Sequence, residues 1–164
     1  ATLAVDDFKV VHREERVLVT KHEEMLMVNT YLPANGGKVR REHLEALDGL
    51  LSGFEDGPAL IAGDFNMAPR VEDGWHGHNH SKYTTKGERG ALEEILERHG
   101  LADLGAGVRW EATFEKMNKG KLTSFRCDLG LVSGDRWGLM YDHRFRNEEG
   151  MSDHSALILD MIGE

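Results

Sequence analysis

The stretch that decides the interpretation of this chain is LIAGDFN, residues Leu60–Asn66. The apolar run from Ala59 to Ala62 predicts a buried strand, and Gly63 then allows the backbone to leave that strand tightly. Side chains two residues apart in an extended segment share a face. Asp64 and Asn66 are therefore expected to point the same way, while Phe65 points back toward the core.

Two interpretations of this acid and amide are open. Oxygen-bearing side chains at the end of a buried strand suit a hard cation such as Mg²⁺, or a phosphate ester held by one. Strand-end Asp and Asn also commonly cap a helix or a turn. The stretch alone does not decide between a site and a cap, so the rest of the chain has to be considered.

Other short motifs follow one another in a definite order. VNTYLP begins at Val28, GLADL at Gly100, FRCDL at Phe125 and MSDHS at Met151, and the last of these precedes an apolar run. Together with GDFN, they resemble the endonuclease/exonuclease/phosphatase superfamily. That family includes exonuclease III-like repair nucleases, endonuclease domains of LINE-type retroelements, inositol phosphatases and sphingomyelinases. The resemblance runs from about Val17 to Met161.

The resemblance implies a DNase I-like fold, an α/β sandwich of two sheets, of which this chain is the C-terminal portion. In the family, the GDFN-like motif falls past the middle of a longer domain, whereas here it begins at residue 63 of 164. Ala1–Val5 is similar to a strand from the middle of the family fold. The family's N-terminal strands, with a metal-binding glutamate and an asparagine, have no counterpart. Residues 1–164 are therefore expected to form a partial domain that either leaves one apolar sheet face to be covered by another protein or contains rearranged strands.

The resemblance also implies roles around a phosphate. Asp64 matches a residue that orients or deprotonates the attacking water, and Asn66 matches one that hydrogen-bonds the phosphate. Tyr31 matches a tyrosine that contacts the phosphate, although a tyrosine packed at a sheet end is an alternative. Asp153 matches an acid at or near the metal, so Asp153 and Asp64 are the candidate ligands of Mg²⁺ or Mn²⁺.

A histidine and an acid complete the implied site. His154 matches the family histidine beside the scissile phosphate, and Asp128 matches the acid that holds it. A carboxylate against one ring nitrogen fixes the tautomer and favours the imidazolium form, which stabilises negative charge on a phosphate. The alternative for Asp153 and His154 is a turn that precedes a strand.

Composition places looser limits. A length of 164 residues with 40% apolar and 30% charged residues is typical of one globular domain. One cysteine excludes an internal disulfide and is compatible with a reducing, intracellular location. No apolar run approaches the ~20 residues that span a bilayer. The net charge of −9 argues against a surface that coats nucleic acid generally, but not against a basic cleft.

Apolar periodicity and turn residues predict mixed α/β structure. The predicted strands are Arg16–Thr20, Met25–Leu32, Ala112–Glu115, Lys121–Val132 and Ser155–Met161, the helices are Lys38–Phe54 and Glu88–His99, and Arg70–Gly87 is a loop. That loop carries alternating histidines, which suit a transition metal but are more often simply exposed: His76, His78 and His80. Lysines flank a glycine turn, and a solvated hairpin tip is favoured over phosphate contact for them: Lys116, Lys119 and Lys121.

Two function classes remain. The first is a Mg²⁺-dependent phosphodiesterase, most similar to nucleases that act on DNA, and the kept acids and histidine favour it. The second is a non-catalytic remnant that serves as a structural or interaction subunit, with a protein partner over the uncovered sheet face. The missing strands favour this second class. Because the metal's ligand set is incomplete, little or no nuclease activity is expected from the chain on its own, even in Mg²⁺.

Overall fold

The computed structural model describes residues 8–106, 112–134, 140–146 and 152–161. In chain order its strands are β1 (Lys9–Arg13), β2 (Val17–His22), β3 (Met25–Tyr31), β4 (Leu60–Asp64), β5 (Gly74–His76), β6 (Asn79–His80), β7 (Leu101–Asp103), β8 (Phe114–Asn118), β9 (Lys121–Phe125), β10 (Asp128–Ser133), β11 (Met140–Arg146) and β12 (Ala156–Met161). The helices are α1 (Gly37–Leu51) and α2 (Lys86–Arg98), and a 3₁₀ turn spans Val71–Asp73. The predicted strand Ala1–Val5 and the first residue of the MSDHS motif, Met151, lie outside the described residues.

The main sheet has six strands in the order β1-β2-β3-β4-β10-β7. Strands β3 and β4 are parallel and are connected through α1, while the other pairs are antiparallel. Helices α1 and α2 pack on one face of this sheet, because Leu44, Leu51, Leu92 and Ile95 join the strand residue Ile61 in the buried core. This layer fixes the strand ends that carry the predicted site.

The register of the main sheet places three predicted site residues in one row. Tyr31 pairs with Asp64, and Asp64 pairs with Asp128. Paired residues on neighbouring strands project to the same face. The two acids therefore share the face opposite the helices, at one end of β4 and β10.

A second sheet has the order β6-β5-β9-β8, and β11 pairs with β12. The chain passes from the second sheet to the main sheet between the end of β9 at Phe125 and the start of β10 at Asp128. An isolated bridge between Phe114 and His154 attaches the segment before β12 to the second sheet. Asp128 is thus positioned by the main sheet and His154 by the second sheet, so the predicted site lies where the two sheets meet.

Both predicted helices and the β2–β3 hairpin are confirmed, with ends that differ by a few residues. Helix α2 begins two residues early because Thr85 and Glu88 form a capping box at its N-terminus. The prediction for Arg70–Gly87 as a loop is wrong in part, since it contains the β5–β6 hairpin. The strand predicted over Lys121–Val132 is two strands, because the chain changes sheets at residues 126–127.

The expectation of an open apolar sheet face is wrong for the central strands. On the face opposite the helices, Met27 and Val132 are buried, and Leu18 and Leu60 are half-buried. These strands therefore leave no broad apolar surface for a partner in the described part of the chain. None of the described helices is both long and apolar enough to cross a membrane.

Candidate active site

The GDFN stretch forms a tight turn at the end of β4. Asp64 Oδ1 accepts a hydrogen bond of 2.8 Å from the backbone N–H of Asn66, whose φ is 48°. Asp64 Oδ2 accepts a second bond of 3.1 Å from Asn66 Nδ2. The acid and the amide meet, but through this turn and not through the extended geometry predicted from the sequence. Phe65 is fully buried, which agrees with the prediction.

The prediction that Gly63 ends the strand is wrong, because Gly63 lies within β4. Its φ is 152°, and a Cβ at this position would lie 1.8 Å from the carbonyl oxygen of Thr30 on β3. Glycine is therefore required for the close approach of the two parallel strands. That approach sets Tyr31 beside Asp64 in the sheet register.

Asp128 and His154 form a direct pair. His154 Nδ1 lies 2.9 Å from Asp128 Oδ2, and both side chains are half-buried. The His154 ring also packs against Phe114, with 5.0 Å between ring centroids. Since Ser155 N–H donates to the carbonyl of Thr113, the backbone on both sides of the histidine is tied to the start of β8.

Different causes raise the pKa values of His154 and Asp64 at this site. The hydrogen bond that the His154 ring donates to Asp128 raises the pKa of His154, and the charges of Asp128, Asp64 and Asp153 act in the same direction, while partial burial opposes them. Burial raises the pKa of Asp64, and repulsion from Asp128 adds to this, while the backbone hydrogen bond from Asn66 opposes it. The site therefore favours a charged imidazole beside a carboxylate that binds protons more readily than usual.

The sequence interpretation missed Cys127, to which it gave no role at the site. The side chain is buried, and its Sγ lies 3.6 Å from Asp128 Oδ2 and 3.7 Å from Thr113 Oγ1. Burial, followed by the charges of Asp128 and Asp64, raises the pKa of the thiol far above its usual range. The signal in the sequence was a cysteine directly before the acid of the FRCDL motif.

Four side chains converge. Asp64, Cys127, Asp128 and His154 each offer a ligand atom, and these atoms all lie within 4.8 Å of one another. Two mutually repelling carboxylates at a half-buried position are the kind of donors that a divalent cation neutralises. The cluster therefore fits the cation that the fold family implies.

Asp153 and Tyr31 lie at the margin of this cluster. The Asp153 carboxylate is half exposed and lies 3.9 Å from Lys116 Nζ, outside the four converging groups. The Tyr31 ring is 48% exposed, and the guanidinium of Arg16 lies over it at 5.2 Å. Their predicted roles at the metal and the phosphate stay predictions.

A cavity of about 660 Å³ opens beside His154 and Cys127. Phe114 and Phe125 give it an apolar wall, and Lys116 brings a positive charge. Tyr83 lies on another side of the cavity. Its hydroxyl accepts a hydrogen bond of 2.8 Å from Arg40 Nη1. Arg40 in turn forms a buried ion pair between the two helices, in which its Nε donates to Glu88 at 2.5 Å. The cleft is thus partly built by buried charges that sequence reasoning did not identify.

Within the described residues the loop histidines form no metal cluster, and of the hairpin lysines only Lys116 lines the cavity beside His154. The loop histidines are spread over the β5–β6 hairpin, where His76 Nδ1 lies 2.9 Å from Thr123 Oγ1 and the His80 ring packs on Trp75. Within the described ranges, the only converging group of metal-ligating side chains is the one around Asp128. The hairpin lysines are exposed, and Lys119 lies in the tight turn between β8 and β9.

No family model matches the chain, and no curated protein matches it. Its fold matches solved structures over nearly its whole length. The endonuclease domain of TRAS1, a telomere-specific non-LTR retrotransposon, is 16% identical with a TM-score of 0.73, and the match covers 97% of this chain and 71% of that one. A 3'-5' exonuclease (NExo) from Neisseria meningitidis is 18% identical with a TM-score of 0.68, with 94% and 70% covered. An AP endonuclease from Archaeoglobus fulgidus is 21% identical with a TM-score of 0.72, again with 94% and 70% covered.

At these identities the likeness concerns the fold alone. The motifs that carried the resemblance lie at the ends of the strands, and the three structures named above are described as nucleases. The mixed α/β architecture with two packed helices agrees with the motifs and with the matched structures. The chain therefore has the fold of the endonuclease/exonuclease/phosphatase superfamily.

Proposed function

We propose that this chain carries the phosphate-side half of the active site of a divalent-metal-dependent phosphodiesterase that acts on DNA. The observation that carries the proposal is the 2.9 Å pair of His154 and Asp128 next to the Asp64–Asn66 turn. The chain spans 70–71% of the length of the nucleases whose fold it shares. Under this proposal, residues 1–164 form part of such a domain.

Asp64 is the proposed base or orienter of the attacking water. Phosphodiester hydrolysis needs a group that positions a water and accepts its proton. The raised pKa of Asp64 makes this carboxylate a better proton acceptor than an exposed aspartate. Its two oxygens are already fixed by Asn66, so the direction of the remaining lone pairs is set in advance.

Asn66 is better explained as a positioning residue than as a donor to the phosphate. Its Nδ2 donates to the carbonyl of Leu32 at 2.8 Å and to Asp64 at 3.1 Å. An amide nitrogen carries only two hydrogens, so both are committed inside the protein. Asn66 therefore acts on the reaction through the orientation of Asp64.

His154 is the proposed partner of the scissile phosphate. Asp128 holds its ring and favours the imidazolium form, which is then available to stabilise negative charge on phosphoryl oxygens. Asp64 and Asp128, with Asp153 at the margin, are the groups that would hold Mg²⁺ or Mn²⁺. When bound, such a cation supplies charge neutralisation at the phosphate.

DNA is the proposed substrate because of the cleft and of the matched structures. The cavity beside His154 presents Lys116 for a phosphate and aromatic walls for a sugar or base. The chain carries a net charge of −9, which argues against general attraction to a polyanion but not against local contact through Lys116. A retrotransposon endonuclease domain, an exonuclease and an AP endonuclease share the fold.

The test is cleavage of duplex DNA, with abasic and nicked substrates included, across Mg²⁺ and Mn²⁺ titrations. The sequence alone predicted little or no activity, but two carboxylates, Asp64 and Asp128, converge among the described side chains, so slow and measurable cleavage is expected. His154→Ala should lower that rate by about 10²–10⁴-fold, the usual contribution of one positioned acid or base. His78→Ala removes an exposed histidine of the β5–β6 turn and is the matched control.

Two outcomes would overturn the proposal. One is equal cleavage by the parent chain and His154→Ala. The other is no metal-dependent cleavage of any of these substrates by the parent chain, measured against Asp64→Ala as background.

A further inference from the structure

The donor set at the site is softer than phosphodiesterase chemistry with Mg²⁺ requires. We infer that Asp64, Cys127, Asp128 and His154 also form a binding site for a thiophilic transition cation of the Zn²⁺ type. A cation bound there coordinates Asp128 and His154 and so inhibits the proposed hydrolysis. The inhibitory consequence rests on the proposed nuclease function, whereas the cation site itself does not.

Geometry supports a four-ligand site. Bond lengths of about 2.3 Å for Zn–S and about 2.0–2.2 Å for Zn–O place sulfur and oxygen about 3.6 Å apart in a tetrahedron. Cys127 Sγ and Asp128 Oδ2 are separated by 3.6 Å. The four ligand atoms lie within 4.8 Å of one another, so no pair needs to close by more than about 1 Å to reach tetrahedral spacing.

Ligand chemistry gives the preference for the cation. Carboxylates and water suit Mg²⁺, while thiolate and imidazole suit Zn²⁺ and its neighbours in the transition series. Cys127 and His154 supply the two soft or borderline donors, and the carboxylates complete the charge. On binding, the Cys127 S–H bond breaks, the proton leaves to solvent, and the sulfur electron pair forms the bond to the cation, with no change of oxidation state.

The site has both a closed side and an open side. Cys127 is buried, with 4% of its surface exposed, and Thr113 Oγ1 orients the segment by accepting hydrogen bonds of 3.0 Å from the backbone N–H groups of Cys127 and Asp128. Cys127 and His154 nevertheless line the 660 Å³ cavity, which gives a cation a route from solvent. A preoriented, accessible donor set is what a specific metal site requires.

Occupation of this site removes the groups that the proposed reaction uses. A cation bound through Cys127 also bonds to a ring nitrogen of His154, which then no longer acts as a free imidazolium, and it occupies the carboxylates that would otherwise hold Mg²⁺. Mg²⁺ on the same carboxylates leaves the ring and the thiol free, since both are poor ligands for a hard cation.

The chain itself offers a direct test, because Cys127 is its only cysteine. Co²⁺ added to the full 164-residue chain should produce a near-ultraviolet sulfur-to-cobalt charge-transfer band, together with visible bands of tetrahedral intensity. Zn²⁺ should displace the Co²⁺ and remove both. Cys127→Ser should lack the sulfur band and bind Zn²⁺ at least about 100-fold more weakly, because loss of even an outer partner commonly weakens a metal site by ~10–100-fold.

Two further variants separate this site from the alternatives. His154→Ala, at a half-buried position, should also weaken Co²⁺ binding, while His78→Ala, in the histidine-containing hairpin, should leave the spectrum unchanged. Absence of a sulfur band in the folded parent chain overturns the inference, as does a Zn²⁺ affinity in Cys127→Ser equal to that of the parent. Circular dichroism of each variant establishes that the fold is kept.

The nuclease assay is a separate readout. Zn²⁺ should inhibit Mg²⁺-dependent cleavage at the concentration at which it displaces Co²⁺. A sulfur–cobalt band without any cleavage overturns the proposed function and keeps the cation site. Zn²⁺-insensitive cleavage with no sulfur band keeps the function and overturns the cation site.

Discussion

Two polar clusters lie side by side in this protein, and they use the same kinds of side chain for opposite purposes. The arginine cluster consists of Arg70, Asp73, Asp103 and Arg126, in which Arg126 donates to Asp103 at 2.9 and 2.6 Å and to Asp73 at 2.9 Å. The site cluster consists of Asp64, Cys127, Asp128 and His154. Three consecutive residues contribute to the two clusters as the chain crosses from one sheet to the other. Arg126 belongs to the arginine cluster, and Cys127 and Asp128 belong to the site cluster.

The difference between the clusters is charge balance. The arginine cluster pairs two acids with two guanidinium groups, and both Asp73 and Arg126 are buried. The site cluster sets two acids against one histidine and is half exposed. The arginine cluster carries no net charge, although Arg126 Nε is buried without a hydrogen-bond partner, whereas the excess negative charge of the site cluster attracts cations. Neighbouring residues thus divide into a structural group and a group available for chemistry.

The largest expected effect comes from breaking the balanced cluster. Arg126→Ala leaves the carboxylates of Asp73 and Asp103 buried without their main partner, and removal of one partner from a buried pair costs about 3–5 kcal/mol of the free energy of unfolding. Urea denaturation followed by circular dichroism measures this. Arg41→Ala, which breaks an exposed pair with Glu45, is the control and should cost under about 1 kcal/mol. Equal losses in the two variants would contradict the structural role of the arginine cluster.

The two clusters also differ in how much of them the sequence could predict. Asp64, Asn66, Asp128 and His154 were identified because each lies in a short motif at a strand end. The arginine cluster was not, because Arg126 lies 53 residues from Asp73 and 23 from Asp103 in the sequence. Nothing local in the sequence indicates that pairing.

Cys127 and the cleft were missed for a related physical reason. The side of the sheet on which Cys127 lies depends on where the preceding strand β9 runs, which the local sequence does not indicate. The second sheet was missed because the short strands β5 and β6 carry too little periodicity to be predicted. The parallel β3–β4 pair was likewise absent from the local pattern, and it sets the row of Tyr31, Asp64 and Asp128. The motifs predicted which residues belong to the candidate site, and the sheet register determines which of them meet.

An intermediate effect is expected from removing charge on one side of the site cluster. Asp128→Asn keeps the shape but removes the carboxylate whose hydrogen bond is the main cause of the raised pKa of His154. The pKa of His154 should then fall, because an adjacent opposite charge favours the charged form of the ring. NMR titration of the His154 ring in the parent chain and in the variant measures the change. An unchanged His154 pKa would show that Asp128 does not control the ring.

The smallest effect concerns stability against pH, and it sharpens the contrast because the balanced cluster should not contribute to it. His154 has a folded-state pKa raised above its unfolded value, which lies near 6.5. A group of this kind stabilises the folded protein fully below the unfolded pKa, and the contribution is lost as pH rises through the folded pKa.

The free energy of unfolding of the parent chain should therefore fall, relative to that of His154→Gln, as pH rises from about 6 through the folded pKa of the histidine. The half-exposed position limits the difference to under about 1 kcal/mol. Asp64 also has a folded-state pKa raised above its ordinary value of 3.8, so its contribution is likewise lost as pH rises from that value. Chemical denaturation of both proteins over this pH range measures the difference. Arg126 does not contribute to this pH dependence, because a guanidinium stays charged throughout the range. A parent chain that gains stability relative to His154→Gln as pH rises would reverse the sign and contradict the pairing of His154 with Asp128.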